Sequence, residues 1–313
     1  MNIVRYTPEF KNMWNDFVRK SKTATILLNR DYMDYHADRF QDYSLIVTDN
    51  NDVPVALFPA SVHDGDTIKS HGGLTYGGFL MTDRTAATDP MEWMDAVIDH
   101  YRQHGIRQIH YKPIPHIYHR HPAEEDLYAL FRNNARLGVR NLATVIDLRH
   151  PIKSSRLTKR AEKRQRQGRI TVQETNDINL FWDIIVDDRK KRHNTTPVHT
   201  AQELDRLHSA FPQNIRLFTA SSNDRILAGA VIYNTGNVLH LQYAAATDEG
   251  KELYATDIIY NHVIFSIFPE AEYFDFGTSN ENGGLYLNSG MTRHKEEFGG
   301  RSIVYDTYLI DIS

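Results

Sequence analysis

The chain contains 313 residues, of which 41% are apolar and 24% are charged, with a formal net charge of −4. This length suits two domains of about 150 residues, and the acidic balance argues against a protein that binds nucleic acid over most of its surface. The absence of cysteine excludes a thiol nucleophile, a disulfide scaffold and cysteine metal sites. The first residues, MNIVRYTPEFKNMW, form no apolar leader, and no stretch approaches about 18 uncharged apolar residues. We therefore expect a cytoplasmic protein without a membrane span.

The first half of the chain has the pattern of helices, then strands, then one more helix and a buried strand. In its first helix Phe10, Met13, Trp14 and Phe17 share a face. The predicted elements are helices at 10–19 and 30–39, a hairpin over 44–58, a glycine-interrupted strand at 68–81, a helix at 90–104 and a strand at 106–111.

The second half repeats this order after a hinge at 147–151. Its predicted elements are a strand at 170–174, helices at 177–192 and from the capping box at Thr200, a hairpin over 215–233, a strand at 238–246, a helix at 255–268 and strands at 273–276 and 302–310. We infer an internal duplication of topology in an α+β fold, with domains at 1–148 and 149–313.

The segment 272–300 has the pattern of a ligand site. A short buried strand breaks at Gly277 into the polar, glycine-rich turn 277–284, and a short helix then carries Lys295. Glycines at a strand end leave backbone N–H groups accessible, and a nearby cation can neutralise phosphate or carboxylate. The alternative is an ordinary loop with a glycine that caps a helix.

The same segment resembles a known family. Gly284-Leu285, followed by His294-Lys295-Glu-Glu-Phe298-Gly-Gly, is similar to the signature G-L … F-K-x-x-F-G of the Fem-type transferases, although His294 stands where that family usually has Phe. These proteins belong to the tandem-GNAT superfamily. The resemblance implies two tandem GNAT-like domains with mixed, mostly antiparallel sheets flanked by helices. It also implies acyl or aminoacyl transfer to an amine.

The loop that would hold the donor departs from the GNAT pattern. GNAT enzymes cradle the diphosphate of acyl-CoA on a Gly-x-Gly loop at a helix N-terminus, and the equivalent loop 247–255 keeps only Gly250, followed by Lys251. These two residues are the candidate cofactor contacts, and an ordinary strand-to-helix turn is the alternative. No tightly bound cofactor is expected. The donor is acyl-CoA or, as in the Fem-type branch, aminoacyl-tRNA.

Acceptor contacts are expected from both halves. The resemblance implies that the acceptor lies in a cleft between the domains, bounded by the glycine-rich segment 71–78. The alternative is that this segment is a bulged strand whose glycines allow close packing. A helix end near 192 could clamp the phosphates of an acceptor, or its cations could simply stabilise that helix terminus. The candidate substrate-binding residues are His71, Gly72, Gly73, Tyr76, Arg189, Arg192, Asn280, Gly284 and Tyr286.

Amide formation needs proximity, deprotonation of the amine and support for the oxyanion. Lys295 is the candidate for charge support and Asp275 for a base or amine-orienting group. Tyr243 and Tyr286 are candidate proton donors to the leaving group, and structural roles remain the alternative for Asp275 and the two tyrosines. No Gly-x-Ser-x-Gly elbow is present, which argues against a serine hydrolase.

Two further clusters allow more than one interpretation. His110, His116, His119 and His121 lie in a proline-rich segment without metal-site spacing, so we expect no metal; a surface loop or a cleft wall with Lys112 and Arg120 fits better. The basic run 153–169 is either a solvated face or a contact for tRNA or nucleotide phosphates.

The sequence thus predicts a transferase that acts on a cell-envelope or polysaccharide precursor. Its expected partners are a small-molecule or nucleotide-linked acceptor and, where the donor is aminoacyl-tRNA, a charged tRNA. The alternative is a non-catalytic, degenerate GNAT-like module that binds such a precursor or a protein. The oligomeric state is left open.

Overall fold

The computed structural model describes residues 1–152, 156–167, 170–268 and 270–312. The chain divides into two compact units. Unit 1 comprises Met1–Asn141, Asn282–Leu285 and Val304–Ser313, and unit 2 comprises Leu142–Glu281 and Tyr286–Ile303. The domain boundary after residue 148 stays a prediction.

The predicted strands occur in the predicted order, and the structure adds strands that the sequence patterns did not predict. The strands are β1 (Asn2–Arg5), β2 (Gln41–Asp42), β3 (Leu45–Thr48), β4 (Pro54–Phe58), β5 (Ser61–His63), β6 (Thr67–Lys69), β7 (Gln108–Tyr111), β8 (Arg136–Asp147), β9 (Thr171–Thr175), β10 (Ile215–Ser222), β11 (Arg225–Asn234), β12 (Val238–Ala246), β13 (Tyr273–Thr278), β14 (Asn280–Glu281), β15 (Tyr286–Leu287) and β16 (Arg301–Asp311). Those not predicted are β1, β2, β5, β8, β14 and β15.

The α-helices are α1 (Lys11–Lys20), α2 (Arg30–Met33), α3 (Asp89–Gln103), α4 (Glu125–Arg132), α5 (Arg156–Arg166), α6 (Trp182–His193), α7 (Ala201–Ala210), α8 (Asp248–Glu252), α9 (Ala255–His262) and α10 (Ser289–Glu296). A π-helical turn, Val263–Ile267, continues α9. The capping box predicted at Thr200 is present, because the Thr200 hydroxyl accepts from the Glu203 N–H and the Glu203 carboxylate accepts from the Thr200 N–H.

Unit 1 contains two sheets. Strands β1, β3 and β4 form an antiparallel sheet in the order β1-β3-β4. The second sheet has the order β2-β5-β6-β7-β16, in which β6 and β7 are parallel and the other neighbours are antiparallel. Large side chains of α3 and of these strands, such as Trp93, Tyr101 and Phe58, fill the core. The predicted strand over 68–81 is shorter than expected, since glycines at 72, 73 and 77 pack closely against neighbouring groups in a turn.

Unit 2 has one mixed sheet in the order β8-β13-β12-β11-β10-β9. Strands β12 and β13 are parallel, and every other neighbouring pair is antiparallel. Helix α9 packs on the sheet through Ile258 and Ile259, which share a core with Leu239 and Phe274. The α+β class with mixed, mostly antiparallel sheets is therefore confirmed.

In both units a parallel pair lies among antiparallel strands, and helical segments connect its two strands, as a parallel connection requires. This agrees with the inferred duplication. Across the parts of the chain that the structure describes, every helix is too short or too polar to span a bilayer.

Candidate functional site in unit 2

Unit 2 contains a cavity of about 900 Å³ at the point where β12 and β13 separate. The two strands pair in parallel over three positions, which end at His240 and Asp275. Beyond them, residues 241–246 of β12 line the cavity, and so do Phe276 and Thr278 at the end of β13 and residues 279–281, which follow it. Residues of α5, α6, α8, α9 and α10 complete its wall. A cavity of this size can hold an extended small-molecule group.

The backbone of β12 offers hydrogen-bonding groups to this cavity. The Thr247 N–H donates to the Leu227 carbonyl of β11 at 2.9 Å. In an antiparallel pair, every second residue directs its N–H and C=O toward the same neighbouring strand. Ala245 and Tyr243 therefore direct these groups toward β11. The corresponding groups of Ala244 and Ala246 then point to the opposite edge. That edge is the one from which β13 has separated, so these groups can bond to a substrate in the cavity.

Lys295 lies on α10 with its ammonium group directed toward the turn after β13. Its Nζ donates to the carbonyl oxygens of Gly277 and Thr278 at 2.9 and 3.0 Å and to the Ser279 hydroxyl at 2.8 Å. An ammonium has three N–H donors, so these bonds use all of them. The side chain is 7% exposed, and burial lowers the pKa of Lys295 to about 8, while the nearby Asp275 carboxylate opposes that shift. Lys295 therefore fixes the turn that forms one wall of the cavity.

Asp275, the expected base, is fully buried at the last paired position of β13. One carboxylate oxygen lies 2.9 Å from His240 Nδ1, and the other accepts from the Gly277 N–H at 2.7 Å. These contacts hold the two strands together just before they separate.

Tyr243 and Arg189 both line the cavity. The Tyr243 hydroxyl lies 2.7 Å from His199 Nδ1, and its ring packs edge-on against Trp182. Burial raises the pKa of Tyr243, so the hydroxyl stays protonated at neutral pH. Arg189 on α6 places a second cation at the cavity wall. Arg192 follows on the same helix, but its side chain lies outside the described part of the structure.

The candidate donor loop forms α8. The Gly250 N–H donates to the Thr247 hydroxyl at 3.0 Å, and a β-carbon at Gly250 would lie 2.2 Å from the Leu227 carbonyl oxygen, so the glycine is needed for packing. Lys251 lines the cavity and pairs with Asp188 at 3.1 Å. The first turn of α8 carries Asp248 and Glu249, which place negative charge where the resemblance puts the diphosphate of acyl-CoA.

The other candidates in the glycine-rich segment have different positions. Asn280 lines the cavity, and its side-chain oxygen accepts from the Leu142 N–H at 2.5 Å. Gly284 belongs to unit 1, where a β-carbon would lie 2.5 Å from the Arg140 carbonyl oxygen. Tyr286 on β15 is 52% exposed.

The structure places His71, Gly72, Gly73 and Tyr76 in unit 1, in a buried aromatic and histidine cluster. A β-carbon on Gly72 would lie 2.3 Å from His63 Nε2, and one on Gly73 would lie 2.1 Å from His36 Nε2, so both glycines are packed against imidazoles. Burial lowers the pKa of His71 well below its ordinary value. The Tyr76 hydroxyl lies 3.0 Å from the Thr25 hydroxyl.

The histidine-rich segment of unit 1 is held by local bonds. His110 Nε2 lies 2.6 Å from the Gln108 side-chain oxygen, and His119 Nε2 lies 2.9 Å from the Ile114 carbonyl. Within 1–152, 156–167, 170–268 and 270–312, the structure groups no three His, Asp or Glu side chains in a way that could hold a metal ion. Lys153 and residues 154, 155, 168 and 169 of the basic run lie outside the described residues.

Sequence reasoning missed several residues of the cavity. Asp257 on α9 is 3% exposed and lines it, and His294 on α10 brings its Nε2 to 3.4 Å from an Asp257 oxygen. Arg160 on α5 also lines it and stacks on Tyr254, with its guanidinium carbon 3.4 Å from the ring centroid. A signal for His294 was its departure from the Phe of the Fem-type signature. The sequence signal for Asp257 was weaker, because it was only that of a single carboxylate in an apolar helix.

Part of unit 2 matches a known family model in sequence. Residues 152–295 match the family model described as an acetyltransferase (GNAT) domain. No curated protein matches the chain in sequence.

Solved structures are similar to the chain over nearly its whole length. The crystal structure of FemX gives a TM-score of 0.69 at 10% identity and covers 99% of this chain and 97% of that one. The C-terminal domain of a putative lysylphosphatidylglycerol synthetase from Agrobacterium fabrum gives 0.60 at 12% identity, with coverages of 97% and 92%. L-PGS from Bacillus licheniformis gives 0.59 at 13% identity, with coverages of 97% and 91%. At these identities the likeness establishes a shared fold.

Proposed function

We propose that this chain is an acyl- or aminoacyl-transferase, because it shares its fold with FemX and because residues 152–295 match the model of a GNAT acetyltransferase domain. Its product would be an amide on an amino group of a cell-envelope or polysaccharide precursor. Support for this acceptor class comes from the fold shared with FemX and with the lysylphosphatidylglycerol synthetase domain.

The observation that carries the proposal is the cavity between the separating ends of β12 and β13. Its strand edge offers the N–H groups of Ala244 and Ala246, and Arg189 and Lys295 add positive charge to its walls. Such an arrangement suits a carbonyl oxygen that becomes negative as an amine attacks.

The chain's own side chains can serve the steps of amide formation. The amine nitrogen bonds to the donor carbonyl carbon, and the bond from that carbon to the leaving oxygen or sulfur then breaks. The N–H groups of Ala244 and Ala246 donate to the oxyanion. Tyr243, kept protonated by its raised pKa, gives a proton to the leaving atom.

The α8 turn favours an ester donor on tRNA over acyl-CoA. Asp248 and Glu249 would repel a diphosphate at the N-terminus of α8, and the Gly250 N–H is already bonded to Thr247. Helix α5 instead presents Lys159 and Lys163 on its exposed side, while Leu157 and Ala161 pack into the core. An exposed basic helix of this kind can contact the phosphates of a tRNA acceptor stem.

The test is amide formation with defined donors and acceptors. Purified protein is incubated with a panel of charged tRNAs or acyl-CoAs and with nucleotide-linked amino sugars or peptides, and products are detected by mass spectrometry. We expect an amide with charged tRNA and a thermal shift with an acceptor. If no donor yields an amide with any acceptor, the proposed activity is wrong.

A second candidate function is a non-catalytic module that binds such a precursor. The observation that favours it is the acidic, self-capped first turn of α8, which departs from a diphosphate cradle. This candidate predicts that nucleotide-linked precursors raise the melting temperature while every donor fails to react.

A further inference from the structure

Asp257 and His294 form a pair at the wall of the cavity in unit 2. His294 Nε2 lies 3.4 Å from Asp257 Oδ1, and both residues line the cavity. The Asp257 side chain is nearly completely buried, whereas the His294 side chain is 47% exposed. The carboxylate is therefore held by the protein, and the imidazole is accessible to a ligand and to water.

The second oxygen of Asp257 points to a missing partner. Within the described residues, Oδ2 is buried and accepts no hydrogen bond from the protein. A buried carboxylate oxygen is costly unless an N–H or O–H group satisfies it. Because Asp257 lines the cavity, a ligand that carries a donor can supply that group.

The neighbours of the pair fix its geometry. Asp257 lies in the first turn of α9, and His294 lies on α10 with its ring packed edge-on against Phe298 at 5.6 Å between centroids. His294 Nε2 faces Asp257 Oδ1 in an ion-pair contact at 3.4 Å, which leaves Nδ1 as the ring nitrogen that can accept a proton from a ligand. A carboxylate that orients an imidazole in this way is a general arrangement for a base.

We propose that Asp257 and His294 form the subsite for the attacking amine, a role that rests on the proposed transferase function. Asp257 Oδ2 accepts a hydrogen bond from the acceptor's amino group and holds its nitrogen beside His294. As the nitrogen bonds to the donor carbonyl carbon, one of its protons passes to His294 Nδ1, and the bond from that carbon to the leaving oxygen or sulfur breaks. Tyr243 gives one proton to the leaving atom, His294 releases its proton to water and Tyr243 regains one from water, so one proton leaves the nitrogen and one reaches the leaving atom. Because one N–H bonds to Asp257 and a second is transferred, the acceptor is a primary amine.

The chain offers a matched control for this pair. His150 lies 3.3 Å from Asp147 through Nδ1, a similar separation, and its side chain is 81% exposed. His150→Phe removes a comparable Asp–His pair that does not line the cavity.

The experiment compares His294→Phe, His294→Ala, Asp257→Asn, His150→Phe and the double variant Asp257→Asn/His294→Ala in the amide-forming assay with charged tRNA and a nucleotide-linked amine. His294→Phe and His294→Ala are expected to lower kcat by about 10²–10⁴-fold, the usual effect of losing a general base. Asp257→Asn is expected to lower kcat and to raise KM for the amine. Because the two residues act as a unit, the double variant should be only a little slower than the slower of the two single variants, Asp257→Asn and His294→Ala. Added imidazole should restore part of the rate of His294→Ala. His150→Phe should match the wild type.

Each outcome has a separate meaning. If the wild type forms no amide with any acceptor, the proposed function falls and this subsite falls with it. If the wild type is active and His294→Phe keeps the full rate, or if imidazole does not accelerate His294→Ala, the subsite is wrong and the transferase function stands. His294 is half exposed, so its variants are expected to fold even if Asp257→Asn does not, and their melting temperatures check this.

Discussion

Replacing Lys295 by Met tests whether this lysine stabilises the turn after β13. The change keeps the length of the side chain but removes three hydrogen bonds, leaving two carbonyl oxygens and a hydroxyl without their donor. Each unsatisfied group costs about 1–3 kcal/mol. Against this, burial lowers the pKa of Lys295 from 10.5 to about 8, and that shift corresponds to about 3 kcal/mol of desolvation that Met avoids. The net expectation at pH 7 is a loss of about 3 kcal/mol, or roughly 6–12 °C in melting temperature for a unit of this size.

The lowered pKa of Lys295 also makes the stability of the folded protein depend on pH, and the sign of this dependence is fixed. The folded state loses the Lys295 proton near pH 8, whereas the unfolded chain keeps it to about pH 10.5, so the unfolded state binds more protons in this window. The wild type therefore gains stability as the pH rises from 8 to 10.5, by about 3 kcal/mol from this group. Urea unfolding of the wild type and Lys295→Met at pH 7, 9 and 10.5 should show a gap that widens. No difference in stability at pH 7, or a difference that narrows at high pH, would mean that Lys295 does not stabilise this turn in the way described.

Three further substitutions test the core of each unit. Asp126 is buried and accepts a hydrogen bond from the Tyr111 hydroxyl at 2.6 Å, and desolvation raises the pKa of Asp126 to about 6. The folded state therefore binds one more proton than the unfolded state between about pH 4 and 6. As the pH rises through this window, the free energy of unfolding falls by about 3 kcal/mol. Asp126→Asn should remove this fall in thermal melts at pH 4–7, and an unchanged slope would contradict the assignment. Asp275→Ala breaks a buried carboxylate–histidine contact and should cost about 3–5 kcal/mol in urea unfolding, whereas a cost below about 1 kcal/mol would show that β13 does not depend on it. Gly250→Ala should lower stability by about 1–3 kcal/mol through the clash with the Leu227 carbonyl, while the control Gly290→Ala, which meets no atom closer than 3.7 Å, should leave it unchanged.

The order of most helices and strands could be predicted because hydrophobic periodicity and capping residues are local, but the strand Arg136–Asp147 was missed. The apolar strand 238–246, the apolar helix after Tyr254 and the strand ending at Gly277 all follow from such patterns. The glycine-interrupted segment 68–81 could not be assigned in the same way. Its glycines are needed for close packing against His36 and His63, which are distant in sequence.

The cavity itself was beyond sequence reasoning because it depends on where two paired strands separate. The run 238–246 is apolar apart from His240 and Gln242, and nothing in its sequence marks His240 as the last residue paired with β13. Lys295 was recognised as important from its place after a glycine-rich turn, but its three bonds to that turn depend on the three-dimensional path of residues 277–279. Asp257 could not be assigned to the core or to a cavity, because helical periodicity gives the face of a residue and not what lies opposite.

A bulky residue in the cavity of unit 2 shows whether amide formation takes place there. Met291 on α10 is half-buried and lines the cavity, so Met291→Trp adds volume where the donor's acyl group would sit. Phe131→Trp on α4, a 73% exposed position in unit 1, is the control. With melting temperatures near that of the wild type, Met291→Trp is expected to abolish amide formation and Phe131→Trp to leave the rate unchanged. A folded Met291→Trp protein that forms the amide at the wild-type rate would contradict this expectation.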